Sequence, residues 1–375
     1  MTSLESFDRI LEKHISDKEM AGASYIIYRK GSVIFENHIG YGDIENNRKL
    51  TPDTIMRLAS MTKPITSAAV MVAREMNLLS LDDLVSKYIP GFKRMNVAEF
   101  ENGKLVGIRP SGTELRIIDL LNHTNGLGAG SVPQIIATEI GETDTLATGI
   151  PKYASQILDF EPRTAIGYSG TMAFDVACRI VEIVSGAKYE EFIRKYILLP
   201  LEMNDTGYDL TQEQEKRLAV MYHCESGEIK VSRPDQLLLP NVPRSYKCGG
   251  TQMFSTIADY SRFVLMLAGN GEFEGIRVLS SESVEMMSHS TLPENLQGLD
   301  YYEWGIGMRV LTKKRPPEQV LNPGAYGWSG AYETHFFIDP SLDICALLFK
   351  NVSSGLGAGA VTARELEREV MAVLG

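Results

Sequence analysis

Near the start of the chain, Leu4, Phe7, Ile10, Leu11 and Ile15 recur among charged residues at a spacing that predicts an amphipathic helix. Residues 23–28 and 33–38 are rich in β-formers and flank Arg29-Lys30-Gly31-Ser32, which reads as a hairpin turn. From Lys63 to about Pro200 the period changes. Ile65, Ala69, Val72 and Met76 repeat at helical spacing, as do Ile117, Leu120 and Leu121. A further helix is expected over about 172–184, ended by Ser185-Gly186. Past residue 300 strand patterns return in "EWGIGMRVL", "GAYGWSG", "ETHFFIDP" and "LDICALLFKNV", and "GAVTARELEREVMAVL" closes the chain as a helix. Strands at both ends with helices between them predict an α/β (α+β) fold, in which the N- and C-terminal segments build one antiparallel sheet flanked by helices. Tyr25 and Phe337 should share that sheet, with the Ile65 helix packed against it. Residues 1–65 and 246–375 would form a discontinuous sheet domain and 66–245 an inserted, mostly helical one, with a site in the cleft between them.

Composition narrows the classes of function. The 375 residues are 44% hydrophobic and 23% charged, which is globular, and the net charge of −11 argues against nucleic acid or an anionic membrane as partner. No basic segment followed by an apolar one opens the chain, and no apolar run reaches the length of about 20 residues needed to span a bilayer, so a cytoplasmic protein is expected. Cys178, Cys224, Cys248 and Cys345 are far apart and read as reduced thiols rather than disulfides or zinc ligands. The six histidines are scattered without H-E-x-x-H, and His123, in turn chemistry, reads as a structural group. Neither a metal nor a cofactor is expected.

The chemistry concentrates in "RLASMTKPIT", residues 57–66. Ser60 and Lys63 lie one turn apart, on a shared face of a helix that starts near Ser60, where Pro64 costs little because first-turn N–H groups have no intrahelical partner. Unpaired N–H groups then surround the serine oxygen as one half of an oxyanion hole. The positive helix end and burial both favour a neutral lysine, able to take the Ser60 proton. A second S-x-x-K, Ser185 to Lys188, sits at a helix end beside a glycine and reads as surface. "GYSGT" and "GWSGA" miss the G-x-S-x-G nucleophile elbow by one glycine position.

Seven stretches in order, "MRLASMTKPITSAAV", "LSLDDLVSKYIPGF", "LRIIDLLNHTNGL", "GYSGTMAFDVACRIVEIVSG", "PLEMNDTGY", "CGGTQMFSTIADYSRF" and "GWSGAYETHFFIDP", resemble serine hydrolases similar to class C β-lactamases. That superfamily also holds penicillin-binding proteins, DD-peptidases, family VIII carboxylesterases, D-amino-acid amidases and related acyltransferases, and it implies a β-lactamase/transpeptidase-like fold. By this resemblance Ser60 is the nucleophile, Lys63 its proton acceptor and Tyr168 the proton relay of Y-x-N. Ala331 would give the second oxyanion N–H beside that of Ser60, while Trp328, Ser329, Gly330 and Gly170 would line the substrate site. Three departures bear on substrate. Trp328 stands where β-lactamases carry the Lys or His of K-T-G, Gly170 replaces the asparagine of Y-x-N, and Glu333 stands where a glycine is usual, narrowing the cleft or favouring amine-bearing substrates. Loss of a cation and an amide points to small neutral esters, as in family VIII esterases and similar acyltransferases, by way of an acyl-enzyme. An amidase, a D-aminopeptidase or a weak β-lactamase is the alternative, and a catalytically silent scaffold the non-enzyme one.

Overall fold

A computed structural model describes residues 4–130, 140–238, 242–298, 300–353 and 361–375. Among them, eight strands form one antiparallel sheet in the order Tyr302–Trp304, Arg309–Leu311, Tyr326–Ser329, His335–Asp339, Ile344–Lys350, Gly22–Arg29, Ser32–Asp43 and Arg48–Lys49. The two ends of the chain meet at the centre, where Tyr25 pairs with Leu348 and Phe337 with Ala346. Tyr25 and Phe337 thus share the sheet, as the strand patterns predict. The turn at Lys30-Gly31 has φ +51° and +74°, the left-handed pair that a two-residue hairpin needs.

Side chains alternate between two cores. Ile26, Trp328, Phe336, Leu347 and Phe349 point to the larger one, shared with the helices Thr62–Glu75 and Ile257–Ala268. Tyr25, Ile27, Phe337, Ala346 and Leu348 point the other way, onto Phe7 and Leu11 of Glu5–Ser16 and Leu366 and Val370 of Val361–Leu374. The helix Thr62–Glu75 is buried around its whole circumference from Thr62 to Ala73, so it runs through the middle of the molecule. The helix Met172–Ser185 ends at Gly186 in the left-handed conformation, as expected from Ser185-Gly186.

The central part of the chain is less helical than its periodicity suggests. Asn96–Glu101 and Lys104–Pro110 form a hairpin, joined in parallel by Ile157–Leu158. Its turn is Asn102-Gly103, with φ +51° and +75°, a hairpin signal present in the sequence but outweighed by the helical repeats around it. Cys178, Cys248 and Cys345 are buried thiols, and Cys224 is half-buried. No helix among the described residues is long and apolar enough to cross a membrane.

Candidate active site

Ser60 sits in a single 3-10 turn, Ala59–Met61, that feeds directly into the buried helix. Ala59 has φ +47°, a conformation that costs a non-glycine residue energy and is retained only when its surroundings enforce it. The clamp is visible on both sides. The Leu58 N–H donates to the Met253 carbonyl at 2.9 Å, and the Leu58 carbonyl accepts the Thr334 hydroxyl at 2.9 Å. Thr334 closes the turn that follows the strand Tyr326–Ser329, so this bond ties the nucleophile turn to the sheet. Gly330 makes the approach possible, because a Cβ there would lie 2.3 Å from both the Leu58 carbonyl and the Thr334 hydroxyl. Among the described residues, neither the Ser60 nor the Ala331 backbone N–H has a hydrogen-bond partner. Ala331 packs on the cluster that holds Ala59, beside the nucleophile turn.

Lys63 is fully buried, and its Nζ donates to the carbonyls of Gly170 (2.6 Å) and Gly250 (2.8 Å) and to Ser60 Oγ (3.3 Å). Two fixed carbonyls aim the third position of the amine at the serine, the path along which a proton can pass. The 249–250 turn is itself held. Asp175, buried, accepts the Gly249 N–H at 2.7 Å and the Tyr246 hydroxyl at 2.8 Å, and Thr66 donates to the Gly249 carbonyl at 2.8 Å. Burial pushes the Asp175 carboxyl above its ordinary value, against these bonds. Only glycines fit the turn, since a Cβ at 249 would meet Cys178 Sγ at 2.3 Å and one at 250 the Gly170 carbonyl at 2.7 Å.

The opposite wall is aromatic. Tyr168, 38% exposed, lies with its ring centroid 5.2 Å from Trp328, 6.0 Å from Trp304 and 4.7 Å from His123. Its hydroxyl has no hydrogen-bond partner among the described residues, and Lys63 Nζ lies 5.0 Å from the ring centroid. The tyrosine thus stands beside the lysine without the direct relay bond. His123 is buried with φ +62°, and its Nδ1 accepts the Ser169 N–H at 3.1 Å, fixing the loop that carries Tyr168. Burial, and secondarily Lys63, hold this imidazole well below its ordinary pKa. The Trp328 indole N–H is buried without a partner.

Two sequence expectations, for Ser329 and Glu333, change in the structure. Ser329 does not face the cleft: its hydroxyl lies on the reverse of the sheet, 2.8 Å from His335 Nδ1, because strand alternation sends it opposite to Trp328. Gly170 gives its carbonyl to Lys63, and the space in front of it is open, with nothing within 4 Å of an added Cβ. Glu333 neither narrows the cleft nor faces it. Its φ of +60° is the conformation that favours glycine, and its carboxylate turns behind the sheet to the buried Lys350 and to Thr362. Ser169 is buried, donating to the Leu127 carbonyl at 2.7 Å. Residues not singled out from the sequence also belong here: Trp304, the carbonyl of Gly250, and Asp175 behind it. "CGGT" carried the signal in its paired glycines. Beside Ala59 and Tyr332 opens a cavity of about 390 Å³ lined by Leu237, Leu238, Met253 and Arg57. Among the described residues, no cluster of His, Cys, Asp or Glu could hold a metal ion.

Residues 7–369 match the protein family described as Beta-lactamase. Among individual relatives, Protein Rv1367c of Mycobacterium tuberculosis is 31% identical over 92% of this chain and 89% of its own length. Esterase EstB of Burkholderia gladioli is 26% identical over 95% and 92%. Two solved structures share the fold: EstCE1, described as a hydrolase with promiscuous acyltransferase activity (TM-score 0.80, 23% identity, covering 99% of this chain and 98% of that one), and the simvastatin synthase LovD of Aspergillus terreus (TM-score 0.81, 20% identity, 99% of each chain).

Proposed function

The chain belongs to the Beta-lactamase family, and from that premise we propose that it is a serine esterase that forms an acyl-enzyme on Ser60 and passes the acyl group to water or to an alcohol. One observation carries the reading: Lys63 Nζ, held by two carbonyls, reaches Ser60 Oγ at 3.3 Å. The Lys63 amine takes the Ser60 proton as Oγ attacks the ester carbonyl. The oxyanion then rests on the N–H groups of Ser60 and Ala331. Collapse breaks the acyl C–O bond, and the departing alkoxide takes a proton from Lys63, directly or through Tyr168 once substrate has drawn that hydroxyl into line. Water or an alcohol repeats the sequence in reverse and frees Ser60.

The substrate class rests on Trp328. The indole offers an apolar face and one N–H where a lactam carboxylate would need a cation, so esters uncharged on that side are favoured. The names of EstB and EstCE1 agree with ester chemistry. A catalytically silent scaffold is disfavoured because it would have no reason to keep a buried lysine trained on a serine. The test is a screen of p-nitrophenyl esters of increasing acyl length, with a chromogenic cephalosporin and a D-alanyl anilide alongside, and with and without added alcohols. A serine-directed fluorophosphonate should label Ser60; an adduct on Ser169 or Ser329 would overturn the assignment.

A further inference from the structure

The cavity of about 390 Å³ beside the nucleophile has apolar walls at Leu237, Leu238 and Met253, yet one of its lining groups is the guanidinium of Arg57. Arg57 lies three residues before Ser60, on a two-residue strand paired with Phe254. Its one hydrogen bond is from Nη1 to the Ala219 carbonyl at 3.2 Å, and the Phe254 ring centroid is 5.6 Å away. Nε and Nη2 have no hydrogen-bond partner, and no carboxylate lies within ion-pair distance, among the described residues. The other charges of the wall are matched: Lys247 holds Asp209 at 2.7 Å and Arg244 faces Glu215 at 3.9 Å. Burial pulls the Arg57 guanidinium below its ordinary value, against a smaller opposing effect of Tyr332. A planar fork with two free donors in a half-buried wall is shaped for a carboxylate.

The position of the cavity says which half of the substrate reaches it. Tyr168, Trp304 and Trp328 form a different wall, and a leaving alcohol protonated from the Lys63–Tyr168 side departs there. The acyl group remains toward Ala59 and Tyr332, where the cavity opens. We propose that this cavity is an acyl subsite for chains ending in a carboxylate, with Arg57 binding that end while Ser60 attacks the ester at the other. The inference rests on the acyl-enzyme reading and refines its substrate. The bond broken is the same acyl C–O bond, water enters and alcohol leaves, and the terminal carboxylate does not react.

Mono-p-nitrophenyl esters of straight-chain dicarboxylic acids of increasing length are compared with p-nitrophenyl esters of methyl-ended acids of matched length. At the best-fitting length the wild-type enzyme should favour the carboxylate-ended ester by about 10- to 100-fold in kcat/KM, mainly through KM. Arg57→Met should reverse that ratio, and Arg57→Lys should keep part of it. A wild-type preference for the methyl-ended ester at every length, or a ratio that survives Arg57→Met, overturns the proposal. If Arg57→Met does not fold, calorimetric binding of the free dicarboxylates to the wild-type enzyme, against methyl-ended acids, decides alone. Esters hydrolysed on Ser60 without any carboxylate preference would sink the subsite and spare the esterase reading. Dicarboxylate binding without hydrolysis of any ester would do the opposite.

Discussion

The two faces of the strand Tyr326–Ser329 and the turn after it treat polar groups in opposite ways. Toward the cleft, the Trp328 indole N–H, the Ala331 N–H and the Tyr168 hydroxyl have no hydrogen-bond partner among the described residues. Behind the sheet, Ser329 bonds His335, His335 Nε2 lies 3.3 Å from Glu367, and Glu333 meets Lys350 and Thr362. Burial pushes the Glu367 carboxyl up, but His335 and neighbouring arginines more than offset it and hold it below its ordinary value. Burial likewise pulls Lys350 down, against the carboxylates around it. A buried polar group left unmatched costs of order 1–3 kcal/mol. The unmatched cleft-side groups lie where a ligand can complete them, whereas His335 Nε2 behind the sheet has no hydrogen bond and only the Glu367 carboxylate beside it.

The largest effect should come from disturbing the cleft face. Ser60→Ala should abolish turnover and fluorophosphonate labelling. Lys63→Ala should lower kcat by roughly 10²- to 10⁴-fold, because proton transfer is removed while the fold is kept; kcat and circular dichroism measured on the same sample would separate the two. A Lys63→Ala enzyme with near wild-type kcat would mean that another base serves Ser60.

On the reverse face the same kind of deletion should cost stability instead. Glu333→Ala leaves the Lys350 ammonium buried without its carboxylate, an expected loss of about 3–5 kcal/mol by chemical denaturation. The pair Glu333→Gly with Lys350→Met should recover most of it, since glycine relaxes the positive φ and methionine needs no partner. A Glu333→Ala loss below about 1 kcal/mol would show that this ion pair is not what holds the turn.

Trp328 tests the boundary between the faces. Short p-nitrophenyl esters should exceed a cephalosporin by roughly 100-fold in kcat/KM, a difference of about 2.7 kcal/mol. Trp328→Lys should narrow the gap, chiefly by losing ester activity. If the wild-type enzyme instead hydrolyses the cephalosporin equally well, Lys350 is not the explanation, because it is engaged behind the sheet; Arg57 is then the cation to replace.

The smallest effect concerns pH. His123 is held neutral in the fold, whereas an unfolded histidine titrates near 6.5. Between its depressed folded value and about 6.5 the unfolded chain binds more protons. Stability should therefore fall as pH drops below about 6.5, by up to about 1.4 kcal/mol per pH unit from this residue. His123→Asn tolerates the positive φ and should lose less Tm than the wild type between pH 7 and pH 5, so that the wild-type minus variant difference falls with pH; a difference flat with pH would remove His123 as the source.

What the sequence discloses, and what it withholds, follows range of interaction. The sheet built from both ends, the Lys30-Gly31 turn and the helix stop at Gly186 are local signals and read directly. Ser60, Lys63 and Tyr168 carry their own spacing and motif context, and the structure gathers them around one opening. The side on which Ser329 lies depends on register across three strands, and Glu333 looked like a cleft residue until its φ and the distant Lys350 were seen together. Arg57 sat inside the first motif noticed, yet its lack of a carboxylate is a property of everything around it, which no local pattern records.

The aromatic wall has one more consequence. Trp304 and Trp328 are the chain's two tryptophans, and their rings lie 4.7 Å apart in the cleft. All tryptophan emission of this protein therefore originates at the site, next to Tyr168 and His123, with energy passing freely between two adjoining indoles. Their strands are joined through Arg309–Leu311 in antiparallel pairings between neighbours in sequence, so the indole pair is built from local contacts. The tryptophan emission, read at equilibrium, reports occupancy of the cleft without a label.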